Sequence, residues 1–269
     1  SGRNMPTVSV SDGCRVTYDV SGQGEALLLI PGLGGAASFW SDIVPLLADR
    51  YRVVAFDHRG TGRSDRPEGA YSISRIAGDA IEILKAENIE AAHVVGHSTG
   101  GMVAQYMALD APGLVKTLVI SGSWEKPDAR FRAMFEARLA VLREAGPRIY
   151  QKLTHAIGFP TGFLDENKEL LRRAVDNAAA AMSPMSVAEA RIEMLLIDER
   201  SNDLSKITAP TLVIGATDDS LIPFAHSRTL AAMIPGARLA VIDGAHFFPR
   251  VHPEQYAATV RRFLEETHE

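Results

Sequence analysis

The sequence predicts an α/β protein built on an open, mostly parallel sheet flanked by helices, with a helical insertion between two of its strands. Three observations carry this expectation. Short apolar runs alternate with amphipathic helical stretches over the first 123 residues. The alternation stops between about 124 and 207, where Ala, Arg, Glu, Leu and Met, all good helix formers, dominate. It then resumes to the end of the 269 residues. With 46% hydrophobic and 23% charged residues the chain can bury a sizeable core, which excludes disorder for its bulk. The expected organisation is a first core part over 1–123, a helical cap over 124–207 and a second core part over 208–269.

The elements follow in order. Residues 8–20, with Gly13 at their middle, read as an antiparallel hairpin. The runs 26–30 (ALLLI), 52–56 (RVVAF), 92–95 (AHVV), 117–120 (TLVI), 211–214 (TLVI) and 238–242 (RLAVI) read as strands. They are mostly apolar without strict alternation, as suits strands covered on both faces. Helices are expected over 74–87, 100–110, 225–233 and 253–266, with Ser74 as N-cap of the first. Within the insertion, Met134, Leu139 and Leu142 share one helix face, and Leu170, Leu171, Val175 and Ala178 another. Pro147, Gly158-Phe159-Pro160 and Pro184 divide the pieces.

Composition narrows the function classes. A net charge of −5 argues against nucleic acid, whose phosphates need concentrated Lys and Arg. No apolar run approaches the roughly 20 residues that span a bilayer. The single cysteine, Cys14, excludes an internal disulfide and a thiolate zinc site. No basic stretch followed by an apolar one opens the sequence, so a cytoplasmic protein is expected, and Ser1-Gly2-Arg3 ahead of Met5 is given no structural weight. The expected partner is a small-molecule substrate, with neither nucleic acid nor membrane and with a homo-oligomer left open. No metal and no cofactor are expected.

Gly96-His97-Ser98-Thr99-Gly100 is the most informative stretch, because it follows a strand-like run and precedes a helix-like one. In that setting G-x-S-x-G makes a turn so sharp that the serine is strained and only small residues fit two places before and after it. The hydroxyl is then held above a helix N-terminus whose amides favour developing negative charge. A serine also needs a base. His246 lies in a loop between the last strand and the last helix, and is the best of the eight histidines. His93 falls inside a strand, His97 occupies the variable elbow position, and His252 and His268 read as surface residues.

The base needs a carboxylate to orient it. Asp218 and Asp219 follow the strand over 211–214; Asp219 is favoured, with Asp218 credible either as a turn residue or as the orienting acid itself. At the end of the strand over 26–30, Pro31-Gly32-Leu33-Gly34-Gly35 brings backbone amides within reach of a substrate. The Leu33 amide with that of Thr99 would form a two-donor oxyanion hole. The same segment fails as a phosphate loop, lacking the lysine and the glycine spacing.

On these motifs the chain resembles the α/β-hydrolase fold superfamily. Asp57-His58-Arg59-Gly60-Thr61-Gly62-Arg63-Ser64 matches the D-x-R-G-x-G-x-S turn of that family, which the resemblance implies is structural. The order Ser, Asp, His along the chain is also that of the family. The run 31–40 (PGLGGAASFW) and the Trp124 region are similar to 3-oxoadipate enol-lactonases and the aminoacrylate hydrolases of pyrimidine breakdown. Two departures stand out. Some members carry the acid after the strand over 117–120, where this chain has Ser121-Gly122-Ser123-Trp124 with Glu125 just beyond, and the histidine that typically opens the oxyanion turn is Pro31 here.

The expected activity is therefore hydrolysis of a small ester, lactone or amide through an acyl-enzyme, with Ser98 as nucleophile, His246 as base and Asp219 as orienting acid. A carboxylated catabolic intermediate would suit the enol-lactonase resemblance, and one of Arg130, Arg132 and Arg191 would then clamp the carboxylate, the alternative for each being a solvated helix face, while Trp124 either lines the pocket or packs in the core. The alternatives are a cofactor-free haloperoxidase-like perhydrolase and a non-catalytic ligand-binding receptor.

Overall fold

Among the described residues eight strands, β1 (Thr7–Ser9), β2 (Arg15–Ser21), β3 (Glu25–Ile30), β4 (Tyr51–Phe56), β5 (Ala92–His97), β6 (Val115–Ser121), β7 (Thr211–Ala216) and β8 (Arg238–Ile242), form one sheet in the order β1-β2-β4-β3-β5-β6-β7-β8. The structure is a computed structural model and describes residues 6–198 and 200–267. Ser1-Gly2-Arg3, Met5 and His268 lie outside the described residues. The pairs β1/β2 and β2/β4 are antiparallel, and every later pair is parallel. Gly13, at φ +87, turns the opening hairpin.

The central strands are apolar on both faces because both faces are covered. In β3, Leu28 and Ile30 enter one core and Leu27 and Leu29 the other. Helices α1 (Val44–Leu47), α2 (Ile73–Ala86) and α3 (Thr99–Asp110) follow the early strands. Helices α9 (Ala225–Met233), α10 (Phe248–Val251) and α11 (Pro253–Glu266) follow the late ones. The buried stripe of α2, Ile73, Ile76, Ala77, Ala80, Ile83 and Leu84, has the three- and four-residue spacing of one helix face. Its N-cap is Ser72, whose hydroxyl accepts from the Arg75 amide at 3.0 Å, so the expectation of Ser74 is corrected. The helix begins one residue earlier, and Ser74 falls inside its first turn.

Between β6 and β7 lie α4 (Ala129–Ala145), α5 (Pro147–Gly158), α6 (Thr161–Glu166), α7 (Lys168–Ala180) and α8 (Met185–Glu193). Asp128 caps α4 by accepting from the Phe131 amide at 2.8 Å. Pro147 opens α5, where its missing N–H costs nothing. Phe131, Phe135, Leu139 and Leu142 of α4 join the core on the α2/α3 side of the sheet, which fixes this helix over the strand ends.

Register then sets the site. Ile30 pairs with Gly96, His97 with Ser121, Ser121 with Ile214, and Ala216 with Ile242. The loops that leave these strands therefore meet along one carboxyl edge. After β3 the chain winds towards β4 and after β5 towards β6, so a crevice opens between those two loops.

Candidate active site

Ser98 follows β5 with φ 55 and ψ −118, a strained backbone for a residue with a side chain. The strain is imposed by close packing. A Cβ on Gly96 would lie 2.0 Å from the Gly100 carbonyl oxygen, and one on Gly100 only 2.1 Å from that of Ile30. The Ser98 amide donates to the Ser121 carbonyl at 2.8 Å, and its carbonyl accepts from the Ser123 hydroxyl at 2.8 Å. The serine thus stands at the head of α3 with its conformation pinned from β6.

His246 lies in the loop after β8. Its Nδ1 is 2.7 Å from Oδ2 of Asp219, and both side chains are buried. The other oxygen of Asp219 accepts from the amides of Leu221 at 3.0 Å and Ile222 at 2.7 Å. A carboxylate held by these bonds keeps one orientation towards His246. Asp218 is exposed to solvent. Of the two adjacent aspartates, the structure brings Asp219 to His246.

Ser98, Thr99, Leu33 and His246 all border one cavity of about 350 Å³. Among the described residues, no acceptor takes the amide of Leu33 or of Thr99. Two free donors flank the serine. A more open depression of about 650 Å³ lies elsewhere, beside Asp57 and Arg63, whose charges are already paired. Asp57 accepts from the amides of Ala37 and Arg63, each at 2.8 Å, and Arg59 is held by Asp79 and Asp12. Those polar groups are spent on bracing turns.

The four residues expected to contact substrate, Trp124, Arg130, Arg132 and Arg191, lie outside the wall of this cavity. Trp124 is packed against Phe131 with ring centroids 4.6 Å apart, and the cavity is not walled by it. Arg130 and Arg132 are exposed on α4, where Arg130 donates to the Ser220 carbonyl at 3.3 Å. Arg191 is 3% exposed, but it donates to the carbonyls of Arg59 at 3.0 Å and Leu33 at 2.7 Å. Burial pulls its pKa down to about 10, against the partial opposition of Tyr71 and Tyr150. Arg191 reaches from α8 to brace the Gly32–Gly35 turn, the position where Pro31 leaves no side-chain brace.

Two residues with roles at the site escaped the sequence reading. His97 is buried against Phe39, Phe248 and His246. Burial, with nearby His246, holds its pKa well below the usual histidine value, so it is neutral. Its Nε2 donates to the His246 carbonyl at 3.0 Å, and its Nδ1 accepts from the Ser121 hydroxyl at 2.8 Å. Tyr256 continues the chain by donating to Ser121 at 2.8 Å. This ladder fixes the backbone that carries His246. A histidine beside the G-x-S-x-G serine was the available signal. The second residue, Arg138, borders the cavity from α4, and nothing in the sequence separates it from its neighbours.

Of the other histidines, His93 is buried against Thr117 and Glu25, and His252 is half-buried. His226 binds Glu125 at 2.9 Å and lies 3.4 Å from Asp128. Burial alone would lower its pKa, but the Glu125 hydrogen bond and the charges of Glu125, Asp128 and Asp219 outweigh burial and raise it. Among the described residues, no group of three or more His, Cys, Asp or Glu is placed to hold a metal, and no helix is long and apolar enough to cross a membrane.

A family described as the alpha/beta hydrolase fold matches residues 25–253. A protein of Azorhizobium caulinodans provisionally named carbamate hydrolase RutD is 37% identical over 89% of this chain and 91% of its own length. Its namesake from Variovorax paradoxus is 38% identical over 92% and 93%. A hydrolase from Pseudomonas aeruginosa PA01 superposes with a TM-score of 0.88 at 27% identity, over 97% of this chain and 98% of that one. The enol-lactonase of Burkholderia xenovorans LB400 gives 0.89 at 23% identity, over 97% and 100%, a likeness of fold.

Proposed function

This chain belongs to the alpha/beta hydrolase fold family, and on that premise we propose that it is a serine hydrolase cleaving a small ester, lactone or amide through an acyl-enzyme. The observation that carries the reading is the buried 2.7 Å contact between His246 and Asp219 at the cavity that Ser98 also borders. With Nδ1 donating its proton to Asp219, the Nε2 of His246 is the basic nitrogen. It takes the Ser98 proton as Oγ attacks the carbonyl carbon. The tetrahedral oxyanion is received by the free amides of Leu33 and Thr99, each worth about 3 kcal/mol in such a site. His246 then protonates the departing oxygen or nitrogen as the acyl–leaving-group bond breaks. Water, deprotonated by the same nitrogen, releases the acid and restores Ser98.

The helical segment 124–207 acts as a cap that excludes water and selects the substrate. Carbamate cleavage, the activity in the relatives' names, is a second reading. It breaks a C–N bond at a carbonyl carbon and fits the same acyl-transfer scheme.

The test is hydrolysis of 4-nitrophenyl butyrate by the protein and by Ser98→Ala, with a fluorophosphonate as covalent probe. Turnover should fall about 10⁴-fold or more with folding retained, and the probe should label Ser98 in the unmodified protein. Retained activity, or a probe bound elsewhere, would remove Ser98 from the role.

A further inference from the structure

Helix α4 buries one arginine beside the catalytic cavity without giving it a counter-ion. Arg138 is 4% exposed, and no carboxylate among the described residues pairs with it. Its Nη2 donates to the Thr154 hydroxyl at 2.7 Å, while its Nε is buried with no acceptor at all. The guanidinium lies over the rings of Phe135 at 5.2 Å and Tyr150 at 4.9 Å. Those rings and one hydroxyl soften the burial of a cation but do not neutralise it, and an unpaired buried charge is costly. The other buried arginines are satisfied: Arg59 by Asp79 and Asp12, Arg191 by backbone carbonyls. A second polar atom at the cavity is also unmet, the buried hydroxyl of Thr99.

We propose that Arg138 is an anion subsite, and that the substrate is an ester, lactone or amide carrying a carboxylate separate from its scissile carbonyl. This deepens the serine-hydrolase reading and rests on it. The missing negative charge arrives with the ligand, whose oxygens accept the unused donors of the guanidinium. Separation of the two groups follows from reactivity. A carboxylate on the attacked carbon would spread charge over the electrophile and oppose the oxyanion, whereas a remote one leaves the carbonyl neutral. The cavity of about 350 Å³ has room for such a spacer, walled by Phe159, Phe163 and Leu171.

The experiment compares mono-4-nitrophenyl glutarate with its neutral methyl ester, using the unmodified protein, Arg138→Met and Arg138→Lys. A second arm titrates glutarate, which cannot be hydrolysed, by calorimetry. Arg138→Met should lose about 10–100-fold in kcat/KM on the charged ester, chiefly through KM, and less than about 3-fold on the neutral one. Arg138→Lys, keeping charge without the planar fork, should fall between. Glutarate should bind the unmodified protein and not Arg138→Met, whose Tm should be unchanged or higher because an unpaired charge has been removed. Equal losses on both esters, or glutarate binding that survives Arg138→Met, would overturn the subsite. If neither ester is turned over, the Ser98 reading fails, and the glutarate titration decides the subsite by itself. Should Arg138→Met not fold, the selectivity of Arg138→Lys decides: an unchanged ratio of the two esters overturns the proposal.

Discussion

At the carboxyl edge of the sheet, Ser98, Asp219 and His246 stand at strand ends whose register places them. In the helical segment above, Arg130, Arg132, Arg138 and Arg191 sit on two helices and have three different surroundings: two solvent-exposed, one at the cavity, one bracing a turn. The edge encodes its chemistry locally. A strained serine, two glycines that admit no Cβ and an acid-bearing loop each need particular residue types within a few positions. The helices encode theirs through packing, since a residue's role depends on what the opposite helix presents. The difference teaches where function can be altered: motif positions are intolerant, whereas facing positions can change substrate without touching the edge.

The sharpest way to break this comparison is to show that the edge is not specified residue by residue. Asp219→Asn should cut turnover about 10⁴-fold, because the amide supports the wrong tautomer of His246. Asp218→Asn, at an exposed side chain, should cost less than about 10-fold. Initial rates on one activated ester suffice. The reverse ranking would move the role to Asp218, and equal small effects would make Glu125 the next acid to test.

That contrast also explains what could be read from the sequence. The strands, the helices α9 and α11, and the approach of Asp219 to His246 were legible because apolar runs and turn residues state backbone geometry directly. The N-cap of α2 was missed by two residues. Ser72 and Ser74 are equivalent as letters, and only the backbone decides whose hydroxyl meets the Arg75 amide. The place of Trp124 after β6 suits either the pocket or the core, and only the docked structure shows its ring buried against Phe131. Arg138 was illegible for a stronger reason. Its neighbourhood is made by Thr154 and Tyr150 of α5, which reach it only after the helices dock.

Arg191 sharpens the comparison from the other direction, because it belongs to the helical segment yet serves the edge. Arg191→Met removes the donors to the carbonyls of Leu33 and Arg59. Two acceptors left unmet, one buried and one half-buried, should cost about 2–3 kcal/mol, read as a shift of the urea midpoint. As the turn carrying the Leu33 amide loosens, kcat should fall by the same factor for charged and neutral esters. Arg191→Lys should not rescue it, since one ammonium cannot span both carbonyls and His58. A loss confined to charged esters would instead return Arg191 to the substrate.

The smallest expected effect separates the two regions by pH. His97, in the core, has a depressed folded pKa, so the unfolded chain binds a proton that the folded one does not. Stability from this group is therefore lost as pH falls below about 6.5. His226, where Glu125 and Asp128 lead into α4, has a raised folded pKa. Its contribution is complete below about 6.5 and is lost as pH rises through the raised folded value. Thermal melts at a series of pH values should resolve the two signs. His226→Gln should be destabilised relative to the unmodified protein by on the order of 1–2 kcal/mol in mild acid, with the difference shrinking towards alkaline pH. His97→Gln should show the opposite trend, its deficit largest at alkaline pH and smaller in acid, where the native imidazole must be protonated or unfold. Parallel curves for both variants would mean that neither histidine changes its protonation on folding, and would remove the charged junction as a distinguishing feature of the helical segment.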